Sequence, residues 1–475
     1  MKLSNSYIGL PEDFYQVINP LPVKAPRIIA FNEELAECLG LEIDPKDAVN
    51  FFSGNSIPDN TTPIALNYAG HQFGNFVHEL GDGRATLLGE IEVDKERFDI
   101  QLKGSGPTKF SRQGDGRSAL GPVIREYILS EAMHHLNIPT TRALAAVLTG
   151  EHVFREEIEP GGILTRIAKS HIRVGTFQYI AARKNEDELK MLLEHVIKRH
   201  YPNIDKAKNK SIEILKIVLE KQVDLVVHWM RVGFIHGVMN TDNMSISGET
   251  IDYGPCAFMD VYDPKTVFSS IDRTGRYAYC NQPVITKWNL ARFAECLIPL
   301  IDKDQNNAIK IATEIINSFE KKYEEKWLNM MRDKLGLFGD EKNDQSLILD
   351  LLTWMHEVKA DYTNTFCYLM GEKIELKKYY EDKRFLNWTE RWKNRLKLHN
   401  NSPEKYLQLM RSVNPLVIPR NHKVEEVLES ANQNNFQPLT KLIEILSKPY
   451  LQNQKIIEYQ LPSNQKEKYQ TFCGT

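Results

Sequence analysis

The period of the hydrophobic pattern changes along the chain. From residue 85, "ATLLGEIEV" leads through the polar turn "DKER" into "FDIQLK". In the second run Phe98, Ile100 and Leu102 alternate with Asp99, Gln101 and Lys103, a period of two. This predicts an antiparallel hairpin with Lys103 on the face opposite the apolar set. A helical period follows. Gly121-Pro122 places Pro near a first helical position, and "VIREYILSEAMHHL" carries Ile124, Tyr127 and Ile128 on one stripe.

Beyond about residue 180 the helical period dominates. Asn185 and Glu188 have capping-box spacing ahead of Leu189, Leu192, Leu193, Val196 and Ile197. In "SIEILKIVLEKQVDLVVHWMRVG", Leu215, Val218, Leu219, Val226 and Trp229 keep helical spacing, and Gly233 suits a C-terminal cap. Residues 287–330 and 343–369 are further helical candidates. The charged, aromatic stretch 371–425 gives no clear elements. The order predicts an α+β protein: a strand-rich lobe over 1–178, a helical lobe over 179–475, and a polar cleft between them.

Composition narrows the function classes. The chain has 475 residues, 42% of them hydrophobic, and a formal net charge of −3. That near-balance gives no reason to expect nucleic acid or an anionic membrane as a bulk partner. No apolar run reaches the ~18–20 residues of a membrane span. The opening "MKLSNSYIGLPEDF" lacks the apolar core of a secretory signal. The expectation is a cytoplasmic soluble protein. The six cysteines, at 38, 256, 280, 296, 367 and 473, have no zinc-site spacing. Cys473, near the end of the chain, is expected to be exposed.

Candidate chemistry falls in four clusters. "GDGRATLLGE" places Gly81, Gly83 and Arg84 in a turn before a strand, where amides and a guanidinium can meet phosphate. Taken alone, an ordinary hairpin turn fits as well. Lys103 ends the next strand, and Glu126 in the following helix can hold it. Between them "GSGPTKFSRQGDGRSALGP" has the character of a second anion-binding lid, including Asp115-Gly116. Arg166 and Arg173 in "LTRIAKSHIRVGTF" suit phosphate oxygens, or are surface arginines beside a strand. Last comes "HGVMNTDN". His236 and Asn243 keep the spacing of a protein-kinase catalytic loop, but the catalytic Asp slot holds Val238, and Asp242 precedes the Asn. Asp252-Tyr253-Gly254 stands where a kinase has Asp-Phe-Gly. Asn243 and Asp252 are hard oxygen ligands suited to Mg²⁺.

These residues resemble the selenoprotein O / YdiU family of protein adenylyltransferases. The resemblance is carried by "NYAGHQFGNFVHELGDGRATLLGE", "QLKGSGPTKFSRQGDGRSALGPVIREYILSEAMHHLNIPTTRAL", "HGVMNTDNMSISGETIDYGPCAFMD" and "NPLVIPRNHKVEE". It implies a two-lobed protein-kinase-like fold that binds ATP reversed, γ-phosphate buried, and transfers AMP to hydroxyls of target proteins. Mg²⁺ or Mn²⁺ serves the reaction, and UTP is an alternative donor. By that resemblance Gly81, Gly83, Arg84, Lys103, Asp115, Gly116, Arg166 and Arg173 bind nucleotide, and Glu126 is the ion-pair partner of the lysine. Asp242 is the proton acceptor. Asn243 and Asp252 are the metal ligands, Asp252 also belonging to the nucleotide site. The family often ends in selenocysteine or cysteine followed by two serines; here Gly474 and Thr475 follow Cys473. Some members pair a loop cysteine with the tail cysteine, which raises Cys280 and Cys473 as a regulatory disulfide. The competing reading is a catalytically silent nucleotide-binding scaffold, motivated by Val238. A small-molecule phosphotransferase is disfavoured because it keeps an Asp two residues after the loop His.

Overall fold

The computed structural model describes residues 3–59, 61–372, 377–452, 456–463 and 469–471. The strands are β1 (Tyr15–Val17), β2 (Arg27–Phe31), β3 (Ile64–Leu66), β4 (Gly70–Gln72), β5 (Asn75–Val77), β6 (Ala85–Val93), β7 (Glu96–Lys103), β8 (Ser118–Ala119), β9 (Arg142–Phe154), β10 (Ile158–Ala168), β11 (Phe234–Ile235) and β12 (Ala257–Phe258). The main sheet is antiparallel and runs β1-β3-β6-β7-β10-β9-β2, with β8 paired to β10. The pairs β4–β5 and β11–β12 stand apart from it.

The expected hairpin is β6–β7. Its turn is only Asp94-Lys95, both at positive φ, because Val93 and Glu96 already pair across the strands. A two-residue turn of that hand matches strand twist. One face of β7, with Ile100 and Leu102, packs with Leu144, Ile163 and Ile167 under α1 (Glu33–Cys38) and α2 (Pro45–Phe52). The opposite face is not solvated. Asp99 and Gln101 are buried there too. Alternation in this strand therefore separates an apolar core from a buried polar layer.

Helix α3 (Leu120–His135) lies against that layer. The sequence suggests one apolar stripe, but the helix is buried on two sides. Val123 and Tyr127 meet Leu164 of the sheet. Ile124 and Ile128 join a cluster with Val424, Val427, Leu439 and Leu442. The sequence after the sheet is mainly helical: α4 (Val174–Ala182), α5 (Glu186–His200), α6 (Lys210–Val232), α7 (Gln282–Ile301), α8 (Gln305–Lys334), α9 (Asp344–Val358), α10 (Tyr362–Leu369), α11 (Lys383–Lys397), α12 (Pro403–Val413), α13 (Asn421–Asn432), α14 (Gln437–Leu446) and α15 (Ile457–Gln460). Asn185 caps α5 by accepting the Glu188 amide, and Gly233 ends α6 at φ +73. The two later helical candidates are each split in two. Asp302 leaves α7 in extended backbone, and Lys359 ends α9 in the left-handed region. The unassigned stretch 371–425 contains α11, α12 and the start of α13.

The chain is thus α+β, with its main sheet confined to residues 15–168. Among the described residues no helix is long and apolar enough to cross a membrane. Described cysteines 38, 256, 280, 296 and 367 are free, Cys280 exposed. Cys473 lies outside the described residues, so its expected exposure and its pairing with Cys280 do too. Thr471 is described and accepts from the Ser270 amide while donating its own amide to Phe268 O.

Candidate active site

The site begins on the polar face of the sheet. Arg166 on β10 stands opposite Gln101 on β7 and donates to its Oε1 at 3.2 Å. Cross-strand partners share a face, so Lys103, two residues beyond Gln101, lies there as well. Helix α3 brings Glu126 between the two cations. Lys103 Nζ donates to Glu126 Oε2 at 2.7 Å, and Arg166 Nε to Glu126 Oε1 at 2.9 Å. Asp252 closes the group from the other side. It accepts from Lys103 at 3.2 Å, Arg166 at 2.8 Å and Arg173 at 3.0 Å. Burial works against charge on both carboxylates, but the cations outweigh it. Arg166 and Lys103 hold Glu126 below its usual range, and with Arg173 they hold Asp252 well below. Both arginines are only 2% exposed, so they are not surface arginines.

Arg173 sits at the entry of α4, where the chain pairs with residues 244–245. That pairing aims its guanidinium at the loop that holds Asp242. It donates to the Asp242 main-chain oxygen at 2.9 Å and lies 4.4 Å from the Tyr68 ring centroid. Asp82 stands 3.7 Å away and accepts from Tyr68 and Gln101. Burial raises the Asp82 carboxyl. The sequence reading passed over Asp82, Gln101 and Tyr68. Asp82 had a signal, an acid between Gly81 and Gly83. Gln101 was flagged only by its alternation with Lys103.

In the loop after β11, His236 is buried, with Nε2 at 2.9 Å from Ile251 O. It thereby ties the loop to the segment before Asp252. The Asn243 amide group donates to Val238 O at 2.9 Å. That fixes its orientation and turns its Oδ1 away from Val238. Asp242 is 7% exposed, and its Oδ1 has no hydrogen-bond partner among the described residues. Burial pushes this carboxyl up to about 6.

The glycine turns are placed differently from the charged cluster. Gly81 is at φ +68, and a Cβ there would lie 2.2 Å from the Phe110 ring. Gly83 abuts the Phe110 main chain, and Arg84 O accepts the Gly104 amide. The first turn is thus packed on the second glycine loop. In that loop a Cβ on Gly116 would lie 2.1 Å from the carbonyl carbon of Gly106. Asp115 is not drawn into the cluster. Its side chain is 45% exposed and pairs with Arg155 at 2.9 Å on the outer edge.

Among the described residues no group of three or more His, Cys, Asp or Glu side chains could hold a metal ion. The available donors are one neutral oxygen, on Asn243, and the Asp252 carboxylate. Two such ligands fit Mg²⁺, which binds through one or two protein oxygens plus substrate phosphates and water.

The family model for protein adenylyltransferase SelO matches residues 1–447. The chain belongs to the SelO family. It is 59% identical over 476 residues to the protein nucleotidyltransferase YdiU of Pelagibacter ubique, covering 99% of this chain and 98% of that protein. The YdiU proteins of Nitrosococcus oceani and Halalkalibacterium halodurans are each 52% identical, covering 99% of this chain and 97% and 96% of their own lengths. As a SelO member the chain is a protein nucleotidyltransferase. Its charged cluster, the loop after β11 and the glycine turns all lie inside the matched region.

Proposed function

We propose that this enzyme transfers AMP from ATP to Ser, Thr or Tyr hydroxyls of target proteins and releases pyrophosphate. The nucleotide lies reversed, its γ-phosphate toward Arg166 and Arg173, its α-phosphate toward Asp242. Residues 1–178 and 179–475 are the two lobes of a kinase-like fold, with the glycine turns and Lys103 on one and the catalytic loop on the other.

The observation that carries the reading is Asp242: a buried carboxyl with an unpartnered oxygen, raised to about 6, beside Asn243. A general base works best when its pKa is near the operating pH and an oxygen is free to take the proton. Asp242 Oδ1 accepts the hydroxyl proton as the oxygen attacks the α-phosphorus. Lys103, Arg166 and Arg173 hold positive charge where the pyrophosphate leaves. Gly81, Gly83, Arg84 and Gly116 shape the walls through which the nucleotide enters, and Asp115 guards their edge.

The cluster's charges support a metal. Lys103, Arg166 and Arg173 face Glu126, Asp82 and Asp252, three against three. Within that cluster the charges balance, so Arg84 and a metal ion would supply the net positive charge a triphosphate needs. Asn243 and Asp252 would hold Mg²⁺ or Mn²⁺, which when bound neutralises phosphate oxygens.

The test is ATP labelled at the α- or the γ-phosphate. Protein label should come from the α position only. Label from the γ position alone would establish an ordinary kinase and overturn the reading.

A further inference from the structure

A second surface beside Asp242 lies apart from the charged cluster. The β4–β5 hairpin folds over the catalytic loop. The His71 amide donates to Thr241 Oγ1 at 2.7 Å, Thr241 Oγ1 to Gln178 Oε1 at 2.5 Å, and Gln178 Nε2 to His71 Nδ1 at 2.8 Å. This closed ring locks hairpin, loop and α4 together. It also makes His71 Nδ1 an acceptor, so the neutral ring carries its proton on Nε2. The Phe73 amide and the Tyr277 hydroxyl both donate to Asn240 Oδ1, at 3.0 and 2.6 Å. At Gly70 a Cβ would lie 2.4 Å from Asp242 Oδ1, so only a glycine backbone leaves that oxygen room.

Outward from this junction lies an aromatic and cationic patch. The His71 and Trp288 rings are 5.2 Å apart. Arg276 and Arg292 lie over the Trp288 ring at 4.9 and 5.0 Å. Arg292 pairs with Glu295. Arg276 has no carboxylate within ion-pair distance among the described residues, and its Nε has no hydrogen-bond partner. Asp272, the acid nearest in sequence, accepts the Arg276 and Tyr277 amides. Val284, one helical turn before Trp288, is 64% exposed.

We infer that this patch seats the acceptor segment of the target protein, and that it selects a segment with a carboxylate near the hydroxyl that is modified. The inference rests on the AMP-transfer reading above. The acceptor hydroxyl meets Asp242, and the neighbouring carboxylate pairs with Arg276, held over the Trp288 ring. A guanidinium pre-oriented on an aromatic face, with no internal counter-ion, loses little freedom on meeting a carboxylate. Because the Tyr277 hydroxyl, next to Arg276, is bonded to Asn240, two residues before Asp242, patch and base keep one distance. That makes the spacing between carboxylate and hydroxyl selective.

The probes are two synthetic tyrosine peptides, one with glutamates on either side of the tyrosine and one with lysines, each assayed with α-labelled ATP. The glutamate peptide should be modified with kcat/KM higher by about ten-fold, the size of one charge-assisted contact. Arg276→Gln should remove the preference by raising KM for that peptide rather than KM for ATP. Arg276→Glu should turn the preference toward the lysine peptide. Equal modification of both peptides by the wild type, or a preference that survives Arg276→Gln, overturns the inference while leaving AMP transfer intact. Absence of label on either peptide and on the enzyme itself removes both readings together.

Discussion

Asp242 is buried with no ion pair of its own among the described residues, because Arg173, which acts on it only at longer range, directs its guanidinium to the Asp242 main-chain oxygen and to Asp252. Burial is the larger influence and pushes the carboxyl up to about 6. A base with this pKa should make kcat/KM rise with pH up to about 6 and level off above it, as a pH-rate profile would record. Stability has the opposite sign. The folded carboxyl binds its proton more tightly than the unfolded one, so stability falls as pH rises from about 4 through 6. A carboxyl raised from 3.8 to about 6 corresponds to about 3 kcal/mol. Asp242→Asn should therefore abolish transfer yet melt higher than wild type at pH 8, the gain shrinking as pH falls below 6. Loss of stability at pH 8 would show that the charge is compensated in some other way. Much of this residue's setting was legible in "HGVMNTDN": its place beside Asn243, and Val238 in the usual Asp slot. Its unpartnered oxygen was not, since that depends on Gly70, far away in the chain.

At the scale of elements, strand alternation located Lys103 but not what faces it. A period of two says that two faces differ, not that one is wet. The second face of β7 is roofed by α3, and only pairing with β10 places Arg166 against Gln101. The arginines thus had two readings from sequence, and their burial decides against the surface one. The break at Lys359 is hidden because apolar residues continue across it at Val358, Ala360 and Tyr362, whereas the break at Asp302 had a signal in the six polar residues 302–307. The glycine loop offers a test at this scale. Gly116→Ala places a Cβ against the Gly106 carbonyl at φ +65. The loop must shift, at about 1–3 kcal/mol. Thermal melting should show that loss, and KM for ATP should rise more than kcat falls. An unchanged KM would separate this loop from nucleotide binding.

Over the whole molecule, α3 is the hinge of the arrangement, gripped from behind by the C-terminal region. Arg125, next to Glu126, donates to Cys256 O at 2.7 Å, to Tyr469 Oη at 2.9 Å and to Glu425 at 3.2 Å. One residue thus ties the helix to the segment after Asp252, to α13 and to the tail. Arg125→Ala should lower stability by about 1–3 kcal/mol and lower kcat as Glu126 loses its fixed position, both read by melting and by α-label turnover. Wild-type kcat in this variant would mean that packing on α13 and α14 is sufficient to hold α3. The tail reaches further still. Thr471 is hydrogen-bonded to Phe268 and Ser270, a few residues along the chain from Arg276. These bonds fasten Thr471 to the segment of chain that leads to Arg276. The short segment from Tyr469 to Thr471 thus acts as a splice, fastened to Arg125 of α3 at one end and to Phe268 and Ser270 at the other.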